Sequence, residues 1–216
     1  NPSDPNAFKN ASDDKTRAYF GETLPNPKLN IFPIAEVSAI GKHLGIPLII
    51  DNTAAAYLCK PFQYGATIII HSTTKYIGGQ GSAIGGIIVD SGNFEWEKFK
   101  NQQPSLNTPD PSYHGAIWSE AAKPLGPIAY ILKARTTLLR DLGSAMSPFN
   151  AFQFIQGLET LPLRIEKQSK NAEKVIQFLK GNNKVSKVIY PTLYKTNLSN
   201  NKYFDKGLYG NLVGFN

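Results

Sequence analysis

Two short apolar runs constrain this chain more than any other feature: residues 66–70 (ATIII) and 84–89 (IGGIIV). A strand with one face in water alternates apolar and polar residues. These runs are apolar nearly throughout, which is the pattern of central strands in a sheet covered on both faces. Such a sheet needs helices on each side, so the expected class is α/β. An earlier β-type run, residues 16–20 (TRAYF), leads into a loop, GETLPNPKLN, punctuated by Pro25 and Pro27. Pro33 stands where a first helical turn tolerates it, and Ile34, Val37, Ile40 and Leu44 form a one-sided stripe that stops at Gly45. With residues 46–50 (IPLII) as the next strand, this makes a βαβ unit, and the expected fold is a doubly wound, mostly parallel sheet.

The later half is less regular. Residues 128–140 have helical character that Gly143 closes, and Leu161, Ile165, Ala172, Val175, Ile176 and Leu179 recur at about a helical turn, with Gly181, Asn182 and Asn183 as the stop. A short β-run at 187–190 precedes Pro191. A domain change is placed in the long helical stretch: residues 1–147 form a large domain, and residues 148–216 form interdomain helices and the start of a smaller C-terminal domain.

Composition narrows the function classes. Of the 216 residues 41% are hydrophobic and 18% charged, enough to bury a sizeable core. No window approaches the roughly 18 consecutive apolar residues of a membrane helix, and residues 1–15 are polar and mixed in charge, so neither a membrane span nor a secretory signal is expected. A lone cysteine, Cys59, has no internal disulfide partner and reads as a buried small hydrophobe. His43, His71 and His114 have no metal-site spacing; no metal is expected, and a reducing cytoplasm fits best. Most of the +7 net charge comes from residues 159–216, where ten Lys/Arg face four Asp/Glu. Lys167, Lys170, Lys174 and Lys180 recur there opposite the apolar stripe, as on a solvated helix face. No aromatics interleave with them, so no nucleic-acid partner is expected.

In an open α/β sheet ligands sit outside the carboxyl ends of the strands. The first strand is followed by Glu22 and Asn26, the second by Asp51, Asn52 and Thr53, and the third by Ser72, Thr73, Thr74 and Lys75, then Gly78, Gly79 and Gly81. Singly, each has an ordinary explanation. An Asp after a strand caps a turn, a Lys is usually solvated, and Ser, Thr and Gly serve backbone geometry. An acid, two hydroxyls and an amine on neighbouring strand ends match the needs of pyridoxal phosphate. Its aldehyde requires a lysine amine, its ring nitrogen a carboxylate, and its phosphate hydroxyl and amide donors. Lys75, Asp51, Ser72 and Thr74 are of these types.

Longer motifs carry a resemblance. DNTAAAYLCKP, followed by GATIIIHSTTKYIGGQGSAIGG, resembles the pyridoxal-phosphate-dependent Cys/Met-metabolism enzymes, whose lysine lies in an S-x-T-K-type motif. ETLPNP is similar to that family's Glu-x-x-x-Asn-Pro segment, and SPFNAFQFIQGLETLPLRIEKQSKNA to its interdomain helical region. PDPSYHGAIW, AYILKARTTLLRDLG and SPFNAF resemble its O-acetylhomoserine sulfhydrylase branch most. The resemblance implies the aspartate-aminotransferase-like fold type I, with Lys75 as the catalytic Schiff-base lysine, Asp51 at the ring nitrogen, and Ser72 and Thr74 at the phosphate. It also implies Asn26 near the cofactor's phenolic oxygen and Glu22 supporting the site.

The implied reaction is γ-replacement on O-acetylhomoserine with sulfide or a thiol, giving homocysteine or methionine and acetate, in a cytoplasmic homo-oligomer, a tetramer by resemblance. Cystathionine γ-synthase and methionine γ-lyase activities stay open, as does a truncated, non-catalytic relative. The family's phosphate loop, ring-stacking tyrosine and substrate-carboxylate arginine have no counterpart here. The chain is therefore expected to be an internal fragment that binds cofactor weakly and shows no useful sulfhydrylase activity alone.

Overall fold

The computed structural model describes residues 1–194 and 200–216. After helix α1 (Pro5–Asn10), capped by the Asp4 side chain, come β1 (Tyr19–Glu22), α2 (Ile34–Leu44), β2 (Leu48–Asp51), β3 (Ile68–Ser72) and β4 (Gly86–Asp90). β1, β2 and β3 are parallel and lie side by side in that order, with β4 antiparallel to β3 at the end of the row. The α2 crossover is the one expected from the stripe at residues 34–44. It ends on Gly45 at φ 72°, a left-handed position that glycine takes without strain. Between β2 and β3 the crossover is made of short 3₁₀ turns, Thr53–Ala55 and Pro61–Tyr64.

Alternation along the strands divides the interior into two layers. Leu48, Ile50 and Ile69 face a core that contains Ile34 and Val37 of α2, together with Phe154, Leu161 and Ile165 from the long helix α7 described below. Ile49, Ile68 and Ile70 face the other side, against Phe94, Trp96, Leu106, Trp118 and Ala129. β2 and β3 are thus covered on both faces, as the run at residues 66–70 demands.

That second layer is built from irregular segments and short helices: α3 (Pro104–Asn107), α4 (Trp118–Ala121), α5 (Ala129–Lys133) and α6 (Leu139–Leu142). One polar cluster fastens it. Asp110 accepts hydrogen bonds from Trp118 Nε1 (2.8 Å) and from Ser112, and pairs with Lys133 Nζ at 3.1 Å. These bonds hold its carboxyl well below the usual carboxylate range. A π-turn, Ala134–Leu138, joins α5 to α6, and Gly143 closes the helix as expected.

Helix α7 (Pro148–Lys180) runs 33 residues, with Leu161, Ile165, Ala172, Ile176 and Leu179 buried and Lys167, Lys170, Lys174 and Lys180 exposed. The basic stretch is therefore a solvated face. β5 (Val188–Ile189) and β6 (Gly214–Phe215) form a separate antiparallel pair.

Two expectations need correction. β4 is not a central strand among the described residues. It pairs only with β3, and Ile87, Ile88 and Val89 are 47%, 47% and 37% exposed. A continuous apolar run records a tendency to be covered and says nothing of what covers it. Val175 is 49% exposed and lies off the stripe, because it directly precedes Ile176, which takes the inward position, and adjacent helical residues point about 100° apart.

Gly41 offers a test of the packing between α2 and the sheet. By propensity alone Ala in a helix is favoured over Gly by about 1 kcal/mol. A Cβ at position 41, however, would lie 2.4 Å from the Ile46 carbonyl oxygen and 3.2 Å from Tyr19 Cδ2. Gly41→Ala is expected to destabilise the protein by about 1–3 kcal/mol in urea unfolding, the range for overpacking a filled site. A stabilising result would show that α2 is free to move off β1.

Candidate active site

The parallel register brings the carboxyl ends of β1, β2 and β3 to one edge. Glu22, the last residue of β1, pairs with Asp51, the last of β2, and Asp51 in turn pairs with Ile70 of β3, two residues before Ser72. Local bonds knit this edge. Thr53 N–H donates to Asp51 Oδ1 at 2.8 Å, an Asx turn that orients the carboxylate, and Thr53 Oγ1 accepts from Ser72 N–H at 2.8 Å. Asn52, 2% exposed, accepts from Thr23 Oγ1 (2.7 Å), donates through Nδ2 to Cys59 O (3.0 Å) and sends its backbone N–H to Ile70 O (3.0 Å).

A cavity of about 590 Å³ opens on this edge. Glu22, Asn26, Asp51, Ser72 and Lys75 line it with Thr53, Tyr76, Arg164 and Gln168. Five of the six residues picked out in the sequence therefore meet at one cavity. Thr74 is placed differently: its hydroxyl donates to Gly85 O (3.1 Å) and accepts from Gly85 N–H (3.0 Å), closing the loop after β3. Sequence reasoning did not single out Thr53, Arg164 or Gln168 as site residues. For Thr53 a signal existed, since Asp-x-Thr after a strand is an Asx-turn pattern. For the two residues of α7 none did, because nothing local shows that a helix 90 residues downstream returns to this edge. A separate cavity of about 490 Å³, between Ser38, Lys42, Thr67 and Phe94 at the amino ends of β2 and β3, gathers no comparable chemistry.

The electrostatics are unbalanced in an informative way. Burial, and then the neighbouring Asp51 charge, push the Glu22 carboxyl above its ordinary value. Among the described residues neither carboxylate has an ion-pair partner, and the Lys75 ammonium and Ser72 hydroxyl have no hydrogen-bond partner. His71, half-buried on β3, has its pKa lowered by burial, against the pull of Asp51, and its Nδ1 has no hydrogen-bond partner among the described residues. Cys59 is buried, and desolvation pushes its thiol to about 12, so it is no nucleophile. Among the described residues no group of three or more His, Cys, Asp and Glu is placed to hold a metal, and no helix is long and apolar enough to cross a membrane.

The donor set suits an organic phosphate bearing an aldehyde and a basic ring nitrogen. It supplies a free amine, an oriented carboxylate with one unbonded oxygen, an unbonded hydroxyl, and the backbone of Gly79 at φ 75°, in a cavity of ordinary small-molecule size. Comparison with known proteins places this open α/β sheet, with its lysine beyond the third strand, among the pyridoxal-phosphate enzymes of fold type I. The Cys/Met metabolism PLP-dependent enzyme family model matches residues 1–215, and the chain belongs to this family.

It is 52% identical to the O-acetyl-L-homoserine sulfhydrylase of Leptospira meyeri, over 99% of this chain and 50% of that protein. It is 44% identical to the homocysteine/cysteine synthase of Saccharomyces cerevisiae, over 98% and 48%. A crystal structure of a Campylobacter jejuni protein described as an O-acetylhomoserine (thiol)-lyase, which carries a pyridoxyl-lysine phosphate, superposes with a TM-score of 0.90 at 39% identity, over 100% of this chain and 53% of that one. The chain spans about half the length of the curated relatives it matches.

The Glu22–Asp51 pair makes a pH prediction. A carboxyl whose folded pKa is raised binds more protons in the native state than in the unfolded one. Stability therefore falls as pH rises from the ordinary Glu value of 4.5 through the raised value. Glu22→Gln is expected to raise the urea midpoint at pH 7 and to leave it unchanged below about pH 4, where Glu22 is protonated in both states. An equal effect at both pH values would mean that the charge of Glu22 is not involved.

Proposed function

We propose that this protein catalyses γ-replacement on O-acetylhomoserine, breaking the Cγ–O bond to acetate and forming a Cγ–S bond from sulfide or a small thiol, to give homocysteine or methionine. One observation carries the reading. The amine of Lys75, without a partner among the described residues, faces the same cavity as the oriented carboxylate of Asp51, in a chain about half identical to an O-acetylhomoserine sulfhydrylase.

In this reading Lys75 is the catalytic residue. It holds the cofactor until substrate arrives, and then takes and returns protons at the substrate's Cα and Cβ. Pyridoxal phosphate, when bound, supplies the aldehyde and the electron sink that make those protons removable. Asp51, fixed by Thr53 N–H, keeps a proton on the ring nitrogen. Ser72 Oγ and Thr74 serve the phosphate, Thr74 through a hydroxyl that also holds Gly85. Asn26 approaches the phenolic oxygen, and Glu22 supports the charge balance at Asp51. We further infer the domain division at residues 147 and 148, and assembly as a cytoplasmic homo-oligomer, in line with the exposed apolar side chains of β4 and of Phe149, Phe152 and Ile155 on α7.

Borohydride reduction of the protein with pyridoxal phosphate should place the pyridoxyl group on Lys75 in a peptide map, and Lys75→Ala should abolish it. Lys75→Ala should also lower acetate release from O-acetylhomoserine and sulfide by roughly 10²–10⁴-fold, the usual worth of a positioned acid–base group. Asp51→Asn should lower turnover far more than it lowers the unfolding midpoint. Label on another lysine, or cysteine serving as acceptor as well as sulfide does, would overturn the reading.

A further inference from the structure

The turn that carries Lys75 is short. Lys75 N–H donates to Ser72 O (3.1 Å), Gly78 N–H to Thr73 O (2.8 Å) and Gly79 N–H to Lys75 O (2.8 Å). Beyond these bonds the carbonyls of Tyr76 and Ile77 receive no backbone N–H among the described residues. They point at α7, where Arg164 meets them: Nη1 donates to Tyr76 O at 2.9 Å and Nη2 to Ile77 O at 3.2 Å. The same guanidinium is tied back to its own helix, with Nη2 to Gly157 O at 2.8 Å and Nε to Thr160 Oγ1 at 3.1 Å.

This approach is possible only because glycine stands on both sides. A Cβ on Gly157 would lie 2.2 Å from Ile77 O, and one on Gly79, at φ 75°, would lie 2.3 Å from Arg164 Nη1. Although Arg164 lines the cavity, four of its five N–H donors are committed to three carbonyls and a hydroxyl, which marks it first as an anchor for the backbone. A planar fork can bridge two successive carbonyls, and a single ammonium cannot hold both in the same geometry.

We propose that Arg164 is a positioning residue for Lys75: it clasps the turn that follows the lysine and so sets the amine over the cavity from α7. The proposal rests on the reading of Lys75 given above. Arg164 acts through the backbone at Tyr76 and Ile77, and touches no reacting atom.

The test has two arms, one without cofactor. In amide hydrogen exchange, Arg164→Met should speed exchange of residues 76–79 by about 10- to 100-fold, the loss expected for charge-assisted hydrogen bonds, while residues 165–176 of α7 stay within about twofold of wild type. With pyridoxal phosphate and borohydride, the share of label on Lys75 relative to other lysines should fall in the same variant. Arg164→Lys should recover it part-way. Thr160→Val, which removes the acceptor that orients Nε together with the long bond from Thr160 Oγ1 to Gly157 O (3.4 Å), should give the same pattern at about 2- to 10-fold and serves if Arg164→Met does not fold.

Unchanged exchange at residues 76–79 would overturn the proposal. So would unchanged labelling of Lys75 despite faster exchange, or equal acceleration of residues 76–79 and 165–176 in both Arg164→Met and Thr160→Val, which would show a merely structural residue. A wild-type protein that takes no label on Lys75, yet shows the exchange pattern, would overturn the functional reading and not the clasp.

Discussion

The hydrogen bond from Ser72 N–H to Thr53 Oγ1 joins the exit of β3 to the exit of β2, and the arrangement of the site depends on that junction holding. Side chains in a strand alternate faces, so a slip of one residue between β2 and β3 would exchange the two apolar layers and turn Asp51 away from the cavity. Thr53 and Asn52 oppose such a slip with bonds to both strands, and they are short, stiffly placed side chains whose bonds reach no farther than the neighbouring strand end. The polar edge is therefore held by Thr53 and Asn52, and among the described residues Lys75 Nζ, Ser72 Oγ and one oxygen of Asp51 have no hydrogen-bond partner.

Lys75 is exposed and Asp51 and Ser72 are part-buried, so water can reach these groups, and the stability of the sheet comes from the layers beneath. Ile34, Val37, Ile50 and Ile68 are all fully buried, and each such side chain contributes about 1.5–3 kcal/mol relative to exposure. The Glu22–Asp51 repulsion is screened at the solvent-facing strand ends and is small by comparison. A site with two neighbouring carboxylates and a free amine is thus affordable at the edge of a sheet whose centre is dry on both faces.

Much of this was legible in the sequence because it is local. The stripe at Ile34, Val37, Ile40 and Leu44 with its stop at Gly45 located α2 to the residue, and the strand exits located Glu22, Asp51, Ser72 and Lys75 at one edge. The bounds of β1 to β4 came out one to three residues early, since apolar content marks burial while the ladder continues into polar residues such as Glu22 and Ser72. What escaped was non-local. The exposure of β4 depends on what lies beside it, the turn of the Thr74 hydroxyl toward Gly85 depends on a loop closing 11 residues on, and Arg164 reaches Tyr76 across 88 residues of sequence. No periodicity records contacts of that kind.

Helix α7 shows how such contacts become geometry. Within five residues it presents Arg164 to the Tyr76–Ile77 turn, Glu166 to Tyr57 and Lys206, and Gln168 to Asn211, which in turn accepts from Tyr76. The Lys206–Glu166 pair, at 2.6 Å, is largely exposed, and exposed pairs contribute about 0–1 kcal/mol, so it adds little to stability. Its effect is directional. Residues 164, 166 and 168 span about 6 Å of one rigid helix, and contacts made from that span to the turn after β3, to the loop after β2 and to residues 206–211 hold three separate segments in one frame. Pro162 lacks an N–H to offer Leu158 O and so loosens the helix just before this span, while Leu161 and Ile165, on either side of Pro162, stay buried in the core that also holds Ile50 and Ile69. The packing fixes where the span lies, and the polar contacts fix what it aligns.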